Sequence, residues 1–196
     1  MERFDPNLHY RRSVRLKGYD YSFAGAYFVT VCVHEKKCLL GEIIEGRTTL
    51  SRIGSIVREC LRSIPDHFRN VSLDEFVIMP NHLHGIVVVG ATHASPLRNS
   101  PQPGPKPRSL GSIVGSFKSA VTRRVNRMRA SPGSTFWQRN YYEHVVRNEK
   151  ELNLIRQYIM DNPLKWETDR ENPAFEGIPR QDEIRDILGD NLNSNP

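Results

Sequence analysis

Apolar positions along the chain fall into two spacings, and the switches between them outline the elements. Tyr27-Phe-Val-Thr-Val-Cys-Val33 is a β-branched and aromatic run of strand length. Residues 38–50 predict a hairpin turning at Glu45-Gly46. Ser51 can cap a helix whose apolar residues Ile53, Ile56, Val57, Cys60, Leu61 and Ile64 recur at helical spacing, with Pro65 as its stop. Val71–Met79 and Leu83–Val89 predict two further strands, separated by a turn or kink at Pro80-Asn81. Residues 91–108, rich in Pro, Ser, Gly and Asn, predict a long, flexible surface loop. Leu110, Ile113, Val114, Phe117, Ala120, Val121 and Val125 mark an amphipathic helix. Phe136–Val146 predicts a fourth strand, Glu149–Asp161 a helix ended by Pro163, and residues near 183–188 a short helix in a polar tail.

Setting the hairpin aside, the order is β-α-β-β-α-β followed by a helix. The first six elements predict an α+β fold of the ferredoxin-like, split βαβ kind: an antiparallel sheet with both crossover helices on one face. The other face is left for a binding site or for the last helix. The expected organisation is a basic arm over 1–18, one domain over 19–166 and a polar tail over 167–196.

Within this pattern His82 and His84 stand out. Alternate side chains of a strand share a face, so the two imidazoles project together while Leu83 points the other way. Neutral imidazoles suit Zn, Mn, Fe or Ni, and Mg if oxygen ligands join. Two histidines at this spacing also occur as ordinary packed residues, and spacing alone leaves both readings open. A metal would need a third ligand. Cys60 belongs to the inner face of its helix and is a poor candidate, which argues against a closed structural zinc site.

The last helix offers partners. Tyr158 and Asn162 lie four apart and share a face beside the core stripe Leu152, Ile155 and Ile159. An amide oxygen can ligate a hard cation and a phenol can act as a nucleophile. The plainer reading is that Tyr158 packs on the sheet and Asn162 caps the helix. Asn162 also precedes Pro163, which disfavours helical geometry there. Tyr141 and Tyr142 point to opposite faces of a strand: one is expected in the core, the other on the open face as a platform for a base. Phe136 and Trp137 read the same way, with core packing favoured, and His144 could touch a phosphate or support the site.

Composition narrows the field. The 196 residues are 38% hydrophobic and 26% charged, a globular balance. No apolar run approaches the ~20 residues of a membrane span, and the N-terminus shows no secretory signal. Cys32, Cys38 and Cys60 have no CxxC spacing, so a reducing, cytoplasmic setting is expected. The net charge of +6 favours an anionic partner, nucleic acid foremost. Arg11, Arg12, Arg15 and Lys17 on the arm could strap phosphates, and Lys118, Arg123, Arg124 and Arg127 line the amphipathic helix.

Val77-Ile-Met-Pro-Asn-His-Leu-His84, Phe136-Trp-Gln-Arg-Asn-Tyr-Tyr-Glu-His144 and Arg156-Gln-Tyr-Ile-Met-Asp-Asn-Pro163, with Arg11-Arg-Ser-Val-Arg-Leu-Lys-Gly18 and the strand at 27–33, resemble the IS200-like single-tyrosine (Y1) transposases of the HUH superfamily, in the branch called REP-associated tyrosine transposases. The resemblance spans about residues 10–166. It implies an HUH endonuclease-like fold and cleavage of single-stranded DNA next to hairpins. Tyr158 matches the nucleophile, His82 and His84 match metal ligands, and Asn162 stands where a third ligand is found. The resemblance implies a 5′-phosphotyrosine intermediate with a free 3′-OH, rejoining by the reverse reaction, and Mg or Mn as the metal. Candidate DNA contacts are the arm residues, Lys118, Arg123 and Arg124, and Trp137, Arg139, Tyr142 and His144. Relatives act as dimers sharing a site in trans or, in this branch, as monomers. Two other functions remain open from the residues: a domesticated hairpin-binding protein without transposition, and an unrelated histidine-ligated hydrolase of small molecules.

Overall fold

The computed structural model describes residues 23–90, 109–169 and 171–176. The arm, the 91–108 loop and the segment around 183–188 lie outside the described residues. In chain order the elements are β1 (Gly25–Cys32), β2 (Gly41–Ile44), β3 (Arg47–Leu50), α1 (Arg52–Arg62), α2 (Ile64–His67), β4 (Val71–Ile78), β5 (His82–Val89), α3 (Leu110–Met128), β6 (Tyr142–Val146) and α4 (Glu149–Asp161). A short 3-10 turn (His34–Lys36) follows β1, and a longer 3-10 helix (Asn162–Thr168) follows α4.

The three long helices, α1, α3 and α4, each start at a side chain that satisfies an otherwise unpaired backbone N–H. Ser51 accepts from Gly54 N at 3.0 Å and donates to Leu39 O at 2.7 Å. Ser109 accepts from Ser112 N, and Asn148 from Glu151 N at 2.9 Å. Glu45 and Gly46 both have positive φ, at 49° and 71°, the turn that joins β2 to β3 in register with strand twist. Pro65 does end α1, but it also sits in the first turn of the short α2, where its missing N–H costs nothing.

The main sheet runs β4-β5-β1-β6, antiparallel throughout. This is the ferredoxin-like order, with β2–β3 as a separate two-stranded sheet. Strand alternation sorts the core onto two faces. Tyr27, Val29, Val31, Leu83, Val87 and Val89 pack with α1 and α3 on one face. Phe28 and Ile86 pack with Ile155 and Ile159 of α4 on the other. Each of these fully buried side chains contributes ~1.5–3 kcal/mol relative to exposure. The last helix therefore covers the face that the split βαβ unit leaves open.

Two expectations change. The fourth strand begins at Tyr142, six residues later than the apolar pattern suggests. Lys118 Nζ donates to three consecutive carbonyls, Gln138 O at 2.6 Å, Arg139 O at 3.1 Å and Asn140 O at 3.4 Å. Successive carbonyls of a strand point in opposite directions, so a chain wrapped on one ammonium cannot be in a ladder; Trp137 keeps only an isolated bridge to Val33. Asn162 is helical (φ −55°, ψ −43°) despite the proline after it. The chain does not leave helical geometry there but tightens into the 3-10 helix, whose first turn accommodates Pro163.

Candidate metal and nucleophile site

His82 and His84 sit on the α4 face of β5, with Leu83 between them in the opposite core. In register, Cys32 lies opposite His82 and Thr30 opposite His84. The loop before His82 is pinned on both sides: Val33 N donates to Asn81 O at 2.8 Å, Leu40 N to Pro80 O at 2.9 Å, and Met79 N to His82 O at 2.8 Å.

The side-chain bonds fix the chemistry of His82. Asn81 Nδ2 faces two carbonyls, Lys36 O at 3.0 Å and Glu171 O at 2.6 Å, which only an N–H can satisfy. Asn81 Oδ1 therefore faces His82 Nδ1, 2.7 Å away, and must accept from it. The imidazole is held as the Nδ1–H tautomer, and its Nε2 carries a lone pair. That lone pair points at His84 Nε2, 3.0 Å away. His84 Nδ1 bonds Thr30 Oγ1 at 2.8 Å, and a hydroxyl can serve either tautomer as donor or acceptor.

Both histidines are buried, at 0% and 5% exposure. Burial pushes the His82 pKa down to about 3, with the Lys36 charge adding to the effect. Burial, then the proximity of His82, holds His84 well below the ordinary imidazole range. Both are neutral at physiological pH, the form that ligates metal. Two nitrogens 3.0 Å apart fit neighbouring ligands of one ion at ~2.1 Å from each.

Tyr158, half-buried on α4, meets the His84 ring in a T-shaped contact with centroids 5.3 Å apart. Phe28 stacks on His84 at 5.5 Å and meets Tyr158 edge-on at 6.0 Å, so one phenyl ring packs against both. Asn162 is 4% exposed, and its Oδ1 has no hydrogen-bond partner among the described residues. A buried amide oxygen without a donor suits a cation. Among the described residues no three His, Cys, Asp or Glu side chains cluster as a metal site. Cys60 packs between α1 and α3, behind the other face of the sheet.

Several predicted DNA contacts are engaged elsewhere. Trp137 is 4% exposed and packs on Phe117 and Phe136, so no base can stack on it. His144 is buried against Glu151, Nε2 to Oε1 at 2.8 Å, and Glu151 also accepts from Arg147 N at 2.6 Å. This pair ties β6 to the start of α4. Tyr142 lies edge-on to Phe28 beneath α4, while Tyr141 packs in the opposite core; neither faces an open sheet surface. The Lys118 ammonium is spent on its three carbonyls, and Arg124 joins Glu59 and Cys60 of α1. Arg123 and Arg139 are exposed. Arg11, Arg12, Arg15 and Lys17 lie outside the described residues.

Four residues at or near the site were not anticipated. Thr30 was legible as a polar residue alternating with Phe28 on one face of β1. Asn81, Trp166 and Glu171 were not. The Trp166 ring lies 6.2 Å from His82, and Glu171 forms an ion pair with Lys36 at 3.1 Å besides accepting from Asn81.

No family model matches the chain. An uncharacterized protein of Haemophilus influenzae is 43% identical over 177 residues, covering 86% of this chain and 96% of that one. Among solved structures, a REP-associated tyrosine transposase bound to a REP hairpin superposes with a TM-score of 0.53 at 20% identity, covering 77% of this chain and 73% of that one.

Proposed function

The chain belongs to one family with the Haemophilus influenzae protein and has the fold of a REP-associated tyrosine transposase, and from that premise we propose that it is a metal-dependent transposase that nicks and rejoins single-stranded DNA at hairpins, acting in the cytoplasm. The observation that carries this reading is the contact of Tyr158 with His84 inside one chain. A nucleophile on α4 and a histidine pair on β5 meet without help from a second copy, which favours a monomeric catalytic unit.

In this reading Tyr158 Oη attacks the scissile phosphorus. The Oη–P bond forms as the bond to the 3′ oxygen breaks, leaving a 5′-phosphotyrosine and a 3′-OH. The phenol loses a proton and the departing oxygen takes one up, so none is consumed. The covalent link stores the bond energy, and attack by a 3′-OH reverses the step. An ordinary phenol has a pKa near ~10 and is protonated at neutral pH, so placement must do much of the work; Phe28 and His84 hold the ring at the site. Held by His82, His84 and Asn162, a divalent ion, Mg or Mn, would stabilise the charge developing on the scissile phosphate.

The test is covalent trapping. Wild-type protein with Mn and hairpin-bearing single-stranded DNA is expected to give an SDS-stable adduct, and Tyr158→Phe to give none while still binding the hairpin. An adduct that persists in Tyr158→Phe rejects Tyr158 as nucleophile. Tight hairpin binding by the wild type with no nicking in Mn or Mg instead identifies a hairpin-binding protein that no longer moves DNA.

A further inference from the structure

Asn81 is the most heavily committed polar side chain at the site, and it is neither nucleophile nor proposed ligand. It is 1% exposed and uses its carboxamide on three partners from three parts of the chain. Its amide nitrogen donates to Lys36 O, 45 residues before it, and to Glu171 O, 90 residues after it. Its oxygen accepts from His82 Nδ1. Lys36 and Glu171 are themselves joined by an ion pair at 3.1 Å, closing a ring around the amide.

The two carbonyls leave the amide one orientation. Turned over, Oδ1 would face two oxygens and Nδ2 would face His82, costing two hydrogen bonds in a buried site. Each bond thus enforces the next: Glu171 and Lys36 orient Asn81, Asn81 selects the His82 tautomer, and the tautomer decides whether Nε2 presents a lone pair or a proton toward His84. Glu171 lies beyond the 3-10 helix that continues α4, the helix carrying Tyr158.

We infer that Asn81 is a positioning residue that locks His82 in the metal-accepting tautomer, and that it does so only while the segment after α4 is docked on it. The segment ending the nucleophile's helix and the first histidine are thereby set together. The metal-accepting part of this inference rests on the function proposed above; the tautomer lock does not. Neutral histidine favours Nε2–H in the absence of a partner, so an unlocked His82 would turn its proton toward His84 and obstruct the pair.

The experiment reads the tautomer directly. Long-range 1H–15N NMR of the full-length, metal-free protein is expected to show His82 as Nδ1–H in the wild type and as Nε2–H or a mixture in Asn81→Ala. Titration with Mn alone is expected to show affinity reduced roughly 10–100-fold in Asn81→Ala. Asn81→Asp keeps an acceptor but loses both donations. Because either carboxylate oxygen accepts, it needs no docked carbonyls to orient it and is expected to retain the Nδ1–H tautomer while residues 171–176 exchange their amide hydrogens faster. A folded Asn81→Ala with an unchanged tautomer, or with a changed tautomer and unchanged Mn affinity, overturns the inference. If Asn81→Ala fails to fold, a folded Asn81→Asp that loses the Nδ1–H form overturns it equally. A wild type that shows the tautomer lock but takes up no Mn or Mg supports the orienting role of Asn81 and rejects the metal reading itself.

Discussion

Asp74 and Arg156 meet fork to fork across the β4–α4 contact, Arg156 Nε to Oδ1 at 2.8 Å and Nη2 to Oδ2 at 2.6 Å. Asp74 sits where β4 slips register against β5, between Leu73 and Phe76, and such an irregularity re-aims a side chain. Arg156 is two residues before Tyr158, so the pair fixes the rotation of the helix that carries the phenol. The Arg156 hydrogen bonds hold the Asp74 pKa below its usual value. A carboxylate depressed in the fold contributes stability that is complete above its unfolded pKa, about 4, and disappears as pH falls through the folded one. Asp74→Asn is therefore expected to melt several degrees below wild type at pH 6 to 7, with the gap closing below about pH 4. Adduct formation should slow while hairpin affinity holds. Thermal melts across pH and a single-turnover nicking assay check both parts.

The buried histidines act over a different pH range. In the folded metal-free protein His82 stays neutral down to about pH 3, and His84 also resists protonation. In the unfolded chain both protonate near pH 6.5. Between these limits the unfolded state binds the extra proton of His82, so stability rises with pH by about 1.4 kcal/mol per pH unit, and the lowered His84 adds in the same direction. Metal-free protein is expected to lose stability steadily as pH falls below 6.5, and His82→Gln with His84→Gln to flatten that slope. Urea unfolding in EDTA at pH 4.5, 5.5, 6.5 and 7.5 reads it; equal slopes in wild type and variant would show that these imidazoles are not buried neutral.

The parts of this site that could be read from sequence are those whose geometry is local. Strand period alone puts His82 and His84 on one face, and helix period puts Tyr158 and Asn162 on one side of α4. The β-α-β-β-α-β order carries the sheet topology, because it is the element order of the split βαβ unit. What escaped depends on contacts distant in sequence. Asn81 looks like a turn residue until Lys36 and Glu171 supply the carbonyls that orient it. For Trp137 the apolar pattern favours the core, where it packs on Phe117, but neither Trp137 nor His144 can be separated from a DNA contact until the core and the carboxylate of Glu151 are seen to absorb them. Lys118 looks like part of a basic face until the turn at 138–140 wraps it.

Burial also separates two kinds of substitution in the matched segment at 136–144. Trp137 is core, and Trp137→Ala is expected to cost ~3–5 kcal/mol of stability, with any loss of DNA binding tracking the loss of folded protein. Arg139, two residues on, is exposed. If it contacts phosphate, Arg139→Ala leaves the melting temperature unchanged, weakens hairpin binding and lowers the salt slope of log K by about 1. Binding isotherms at several salt concentrations beside thermal melts distinguish the two; an unchanged slope removes Arg139 from the DNA surface.

Thr30 isolates the second histidine from the first. Its hydroxyl is the polar partner of His84 Nδ1 among the described residues, at 2.8 Å, and valine has nearly the same shape without the oxygen. The fold should tolerate Thr30→Val, because β1 is a strand interior that favours a β-branched residue. His84 would then be held by its Nε2 contact with His82 and by packing against Phe28 and Tyr158. Partners of this kind set ligand orientation and typically change metal affinity 10–100-fold. Thr30→Val is therefore expected to bind Mn at least ~10-fold more weakly than wild type, while His82 keeps its Nδ1–H tautomer. Calorimetric Mn titration with the NMR measurement on the same sample checks it. Unchanged Mn affinity would mean that packing by Phe28 and Tyr158 suffices to aim His84, and that the hydroxyl only satisfies a buried nitrogen.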